Sequence, residues 1–239
     1  MTATGNEFRV MTSGAFTAAY KALLPQIERL TGKKVITVTT SIGTGDISIP
    51  NRLKRGEVAD IVIVADGVLR QFIADGLVQA EGYTVLARSI VGMAVRAGAP
   101  KPDISSIDAL RKTLLQAKSI GYSASESGKY FTTELVQRLG ITEQVLPKSR
   151  MIGGGERVGA VVARGEVEVG FQQMSELLPV PGIAYITPLP AEMQKVSLYP
   201  AGIGAKSPDP AAARAVIRFL ASPEAAQAII DSGLQPVGN

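Results

Sequence analysis

Three short loops carry groups that could do chemistry. SIGTG (Ser41–Gly45) separates a strand-like run from a helix-like run, SESGK (Ser125–Lys129) opens a helical segment, and GGGER (Gly153–Arg157) precedes another. The first N–H groups of a helix have no partner inside it, so small residues at such starts let backbone amides and hydroxyls face an anion. Arg157 adds a planar fork that can grip a carboxylate through two hydrogen bonds. Each loop also has a plainer reading. SIGTG is compatible with a strand-to-helix turn, GGGER with a surface turn, and Lys129 and Tyr130 with solvent-facing positions. SESGK is not a phosphate-binding loop, because Gly121 precedes Gly128 by seven positions and Tyr130 stands where a serine or threonine would follow the lysine. Gln172 and Gln173 close an apolar run, and alternation along a strand predicts one facing a cleft and one packing.

Composition narrows what these groups can do. The 239 residues include no histidine and no cysteine, which excludes thiol nucleophiles, Cys/His zinc sites and imidazole acid–base chemistry. Carboxylates, lysine, tyrosine, hydroxyls and amides are what is left, and neither metal nor cofactor is expected. The formal net charge is +4 and the sequence pI about 9.3, with basic residues scattered and aromatics at 5%. That argues against a nucleic-acid partner and suits attraction of small anions. No apolar run reaches the roughly 18 residues that span a bilayer, so no membrane insertion is expected. MTATGNEFRV carries no recognisable leader and reads as a mature start from which a signal peptide has been removed.

The elements that must position these loops alternate between strand-like and helix-like, the pattern of an α/β protein with mainly parallel sheets. FRVMTS, KVITVTTS and ADIVIVAD read as strands, the last buried on both faces because it is continuously apolar. AFTAAYKALLPQIERLTG reads as one helix stopped by Gly32, DISIPNRLKRGE as a second, and GVLRQFIADG as a third ended by Gly76. TVLARSIVGMAVRAGAP is long enough to cross from one lobe to another, and MQKVSLYPAGIGA mirrors it. Between them lie helix SIDALRKTLLQA, strand SIGYS, helix KYFTTELVQRLG, helix ERVGAVVARGE, strand VEVGFQQ and strand GIAYITPLP. A helical pair broken at a proline, PDPAAARAVIRFLASPEAAQAIIDSG, closes the chain. The expected organisation is lobe one from 1–86 and 197–239, and lobe two from 87–196. Ligands in such folds bind at the carboxyl ends of strands.

Over nearly its whole length the chain resembles the molybdate-binding-like group of periplasmic solute-binding proteins, of the type II fold. The resemblance rests on MTSGAFTAAY, TTSIGTG, RGEVADIVIVAD, GYSASESGKY, GGGERVGAVVARGEVEVGF and FLASPEAAQAII. It implies a two-lobed α/β binding protein with two crossover strands and a ligand cleft between the lobes, monomeric and periplasmic. Members that bind molybdate use two lobe-one loops, two helix starts of lobe two and a tyrosine after a lobe-two strand. Carried over, these correspond to Ser13, to Ser41 through Thr44, to Ser127, to Glu156 with Arg157, and to Gln173 in the tyrosine position. A glutamine there, and a carboxylate in the GGGER loop that Arg157 would have to offset, point away from molybdate. VARGEVEVGFQQMSELLPVPGI is similar to the organic-acid subgroup, which resembles aconitate isomerase.

Two functions follow from the resemblance. One is a cofactor-free isomerase that binds a di- or tricarboxylate and shifts an allylic proton, as in cis/trans-aconitate interconversion. The other is a non-catalytic binding protein that delivers an organic acid or oxyanion to an ABC permease. For the first, Ser13, Ser41, Thr44, Ser127, Arg157 and Gln173 would hold the ligand. Lys129, Tyr130 and Glu156, with Glu126 beside them, are the candidate bases. Lys129 leads, since it is expected directly after Gly128 at a helix start, where the dipole disfavours its protonated form.

Overall fold

The computed structural model describes residues 6–43, 45–153 and 155–237. The chain divides into two compact units, one built from residues up to Ser89 and from Ser197 onward, the other from Ile90–Val196.

The first unit begins with β1 (Glu7–Thr12), α1 (Gly14–Ala22), α2 (Leu24–Thr31), β2 (Lys34–Thr39), α3 (Ile49–Lys54), β3 (Ile61–Ile63), α4 (Asp66–Ala74) and β4 (Thr84–Arg96). The single helix predicted over AFTAAYKALLPQIERLTG is two helices. Pro25 has no N–H and its ring clashes with the preceding turn, so α1 ends at Ala22 with Leu23 as its C-cap, and proline stands in the first turn of α2 instead. The predicted glycine stops are present: Gly32 and Gly76 have φ of 64° and 69°, the left-handed region glycine adopts without strain. β1 pairs in parallel with both β2 and β3. Phe8 and Val10 of β1 with Ile61 and Ile63 of β3 join one core, against Phe16, Tyr20 and Ile27. Met11 and Val62 join another, with Ile49, Leu69 and Phe72. Strand alternation thus feeds two cores from one sheet, and β3 is buried on both faces.

The second unit takes the latter part of β4, then α5 (Ile107–Gln116), β5 (Ile120–Ser123), α6 (Glu126–Tyr130), a π-helical turn (Phe131–Leu135), α7 (Val136–Arg138), α8 (Thr142–Val145), β6 (Ser149–Ile152), α9 (Val158–Ala163), β7 (Val169–Gln173), α10 (Met174–Leu177) and β8 (Ile183–Pro188). β5 pairs in parallel with β6 and with β7, while β4 runs antiparallel to β7 and β8. One face is covered by Phe131, Leu135, Leu110 and Leu114 over Val91, Met93, Val169 and Phe171, with Phe131 stacked on Tyr122 and Phe171 at centroid distances of 5.4 and 5.1 Å. On the other face α9 lies close because β7 offers Gly170: a Cβ there would stand 2.6 Å from Val158 Cγ1 and Val162 Cγ2.

The chain returns to the first unit through β9 (Val196–Ile203), α11 (Pro210–Leu220), α12 (Pro223–Asp231) and β10 (Gln235–Pro236). β9 pairs antiparallel with β3, and β10 with the first part of β4. The predicted break between the last two helices falls at Ser222, with Pro223 opening α12. Asp209 caps α11 by accepting from Ala212 N at 3.0 Å.

Gly128 is a close-packed position beside SESGK. A Cβ there would overlap the backbone carbonyl oxygen of Ser123, and backbone cannot swing aside as a side chain can. Overpacking of this kind costs about 2 kcal/mol, and a chain of this size loses roughly 2–4 °C of melting temperature per kcal/mol. Gly128→Ala is therefore expected to melt about 4–8 °C lower than the parent by circular dichroism. An unchanged melting temperature would contradict the contact.

Candidate functional site

Parallel pairing decides where the loops of the second unit end up. Because β5 is parallel to β6 and β7, Ser123, Ile152 and Gln173 finish on one edge of the sheet, and the segments after them start there. Ala124 N donates to Ile152 O at 3.0 Å and ties two of these segments together. At the end of β5 a hydroxyl cluster forms, with Ser123 Oγ 2.9 Å from Ser125 Oγ and 2.8 Å from Ser127 Oγ. Ser127 is buried.

The predicted bases differ in setting. Lys129 is exposed and is the fourth residue of α6, which begins at Glu126; the helix-start argument therefore does not apply to it. Tyr130 is buried and its hydroxyl donates to Met193 O at 2.7 Å. Burial is the main influence pushing its phenol pKa above the usual value. Glu156 is exposed and ion-paired with Arg164, which also holds Glu166 at 2.5 Å. The arginine that offsets Glu156 is thus Arg164, eight residues on, rather than its neighbour Arg157. Arg157 is exposed and immediately precedes α9.

Among the ligand-holding candidates of this unit, Gln173 ends β7 and is fully buried, and Gln172 is buried too. The expected contrast between the two does not appear, because every residue of β7 is covered.

In the first unit the corresponding edge is built the same way by β1, β2 and β3. Ser13 follows β1, donates its N–H to Ile63 O at 2.8 Å, and accepts at its carbonyl from Thr17 Oγ1 at 2.9 Å. Its buried Oγ has no protein partner among the described residues, and neither does that of Ser48 ahead of α3. Ser41 is half-buried, with its N–H donating to Thr39 Oγ1 at 3.2 Å. Thr44 lies outside the described residues.

One charged group was not among the sequence candidates. Glu176, in α10, is half-buried as a residue, and its carboxyl accepts a hydrogen bond from Gln172 Nε2 at 2.7 Å. Its carboxyl pKa is raised from 4.5 to about 7, first because burial withholds water from the charged form; the nearby positive charge of Arg157 and the Gln172 bond pull the other way by less. No sequence signal marked it: Gln172 lies in β7 and Glu176 in the helix that follows, so their contact is set by the turn between the two elements. Among the described residues no cluster of carboxylates could hold a metal ion, and no helix is long and apolar enough to cross a membrane.

Comparison with known proteins gives three findings. A family described as bacterial extracellular solute-binding protein matches residues 8–235. An aconitate isomerase from Pseudomonas sp is 45% identical over 229 residues, covering 95% of this chain and 87% of that protein. Among solved structures, the periplasmic molybdate-binding protein of Azotobacter vinelandii superposes with a TM-score of 0.78 at 17% identity, covering 97% of this chain and 99% of the other. The sulfate-binding protein SubI of Mycobacterium tuberculosis superposes with a TM-score of 0.77 at 18% identity, covering 97% and 87%. At these identities the structural likeness establishes the type II periplasmic binding fold.

The setting of Glu176 has a thermodynamic consequence. A carboxyl whose pKa is raised in the folded state binds its proton more tightly folded than unfolded. Its stabilising contribution is complete below about pH 4.5 and is lost as the pH rises through about 7. Glu176→Gln removes the ionisable group and keeps an acceptor for Gln172. The variant's melting temperature relative to the parent is expected to be clearly higher at pH 8 than at pH 4. A pH-independent difference would contradict the raised pKa.

Proposed function

The chain belongs to the bacterial extracellular solute-binding protein family, and on that premise we propose that it is an isomerase that binds aconitate and interconverts its cis and trans forms. The observation that carries this reading is the 45% identity to an aconitate isomerase across 95% of the chain. The geometry is compatible with it. The strand-end edge of the second unit gathers neutral donors, Ser123, Ser125 and Ser127, near the segment bearing Arg157. Those are groups for carboxylates, and the charge developing when a carbon acid loses its proton would spread onto carboxylates so held. The reaction removes a proton from the methylene carbon, moves the double bond one carbon along, and adds a proton to the former vinylic carbon. Ser13, Ser41, Thr44, Ser127, Arg157 and Gln173 are the proposed ligand-holding residues, and the periplasm is the proposed location.

A second reading, delivery of an organic acid or oxyanion to an ABC permease without chemistry, is favoured by the family itself and by the oxyanion-binding neighbours in structure. Turnover separates the two. With protein far below substrate, trans-aconitate and cis-aconitate should converge on one equilibrium mixture by NMR. Saturable binding with no conversion would overturn the isomerase reading and leave the delivery reading. For Arg157, replacement by lysine keeps the charge and loses the planar fork. Arg157→Lys is expected to weaken tricarboxylate binding at least tenfold, about 1.4 kcal/mol, read from the ligand-induced rise in melting temperature. Undiminished binding would place Arg157 away from the ligand.

A further inference from the structure

We propose that Glu176 is the acid–base residue of this isomerase, its carboxylate taking the allylic proton from one carbon of the substrate and returning it to the other, with Gln172 holding the carboxyl in place. The assignment rests on the aconitate isomerase reading and deepens it.

Four observations on the second unit lead to Glu176. It stands three residues past the end of β7, on the strand-end edge where the segments after β5 and β6 also begin. One carboxyl oxygen, Oε2, is held by Gln172 Nε2 at 2.7 Å, and Oε1 has no hydrogen-bond partner among the described residues. No lysine or arginine among them forms an ion pair with it, whereas Glu156 is committed to Arg164. Finally, the far side of the Gln172 amide, Oε1, and the Ser175 hydroxyl are buried with no protein partner among the described residues, so polar capacity remains beside the carboxyl. Buried polar groups of that kind ordinarily find a partner, and a polyanionic substrate with its own hydroxyl-accepting oxygens is one for Ser175.

The other candidates are less well set. The Tyr130 hydroxyl is spent on Met193 O and its proton is held more tightly than usual. Lys129 and Glu156 are exposed, and water around a base lowers the return on charge placed nearby. A proton carrier works best when its affinity for the proton lies near the working pH, and desolvation brings Glu176 to about 7. Arg157, whose charge reaches the carboxyl, favours its ionised form and offsets part of the effect of burial.

The step balances without an external reagent. The ionised Glu176 accepts a proton from the methylene carbon, the C–H electron pair becomes the new carbon–carbon double bond as the old one opens onto the neighbouring carboxylate, and collapse of that charge accepts the proton from the Glu176 acid at the other carbon. The residue ends ionised, ready for another turnover.

The test uses the whole chain and aconitate. Glu176→Gln is expected to fold, to keep a rise in melting temperature with trans-aconitate, and to lose turnover by about a hundredfold or more, the range for removing a general acid–base group. Glu176→Asp, with the carboxylate on a shorter arm, is expected to retain partial activity above that of Glu176→Gln; it serves also if the glutamine variant fails to fold, a tenfold or greater loss in a folded aspartate variant then supporting the assignment and parental activity overturning it. Active parent and equally active Glu176→Gln would overturn the assignment alone. An inactive parent would overturn the isomerase reading and this assignment with it.

Discussion

Parallel pairing of β5 with β6 on one side and β7 on the other is the constraint on which the candidate site depends. In a parallel ladder every strand points the same way, so the segments after three strands distant in sequence emerge along one edge. Ala124, Gly153 and Met174 begin those segments, and no local feature of any one of them would bring the three together. The register is held by packing. Gly170 lets Val158 and Val162 of α9 sit against β7, and Phe131 stacks against Phe171 from the opposite face. A one-residue slip of β7 would exchange those two faces. It would put Phe171 where only glycine fits.

Charge in the second unit is arranged unevenly. Glu156, Arg164, Glu166 and Arg150 form a surface network of ion pairs, and solvent and salt leave exposed pairs of that kind little influence on stability. Glu176 is the opposite case, a carboxyl shielded enough that losing water outweighs the attraction of Arg157 and the bond from Gln172. A group in that condition is costly to keep charged, and such costs concentrate where chemistry is done. The oxyanion-binding proteins that share this fold illustrate that fold and activity are separable: the scaffold presents strand-end donors, and what becomes of a bound ligand depends on the side chains placed around it.

How much was legible in the sequence depended on how local the signal was. The apolar run ADIVIVAD reads as a strand buried on both faces because its four consecutive branched residues leave no polar face, and β3 is buried at all three of its positions. Gly76 reads as a helix stop because a left-handed residue is needed there. Family resemblance extended this to the whole fold and to the isomerase, as the comparisons bear out. The side-chain chemistry was less legible. The hydroxyl of Tyr130 is committed to Met193, 63 residues away. Glu156 pairs with Arg164 across a loop and a helix rather than with its neighbour. Alternation could not sort Gln172 from Gln173, because β7 is covered on both faces and alternation distinguishes only a face that is open. Glu176 stayed hidden for the same kind of reason: a raised carboxyl pKa is produced by tertiary packing, and an isolated glutamate after MS carries no mark of it.

The central claim is that a proton moves between two carbons of the substrate on a solute-binding scaffold. Isotope placement tests it most directly, using trans-aconitate that carries two deuterons on its methylene carbon, turned over by the unmodified protein in ordinary water. If the double bond migrates by proton transfer, the deuterated carbon becomes the vinylic one, and the cis-aconitate formed carries deuterium at its vinylic position and has lost the CD2 group. Cis-aconitate that retains an intact CD2 group and a vinylic hydrogen would mean rotation about the original double bond, and would contradict the account.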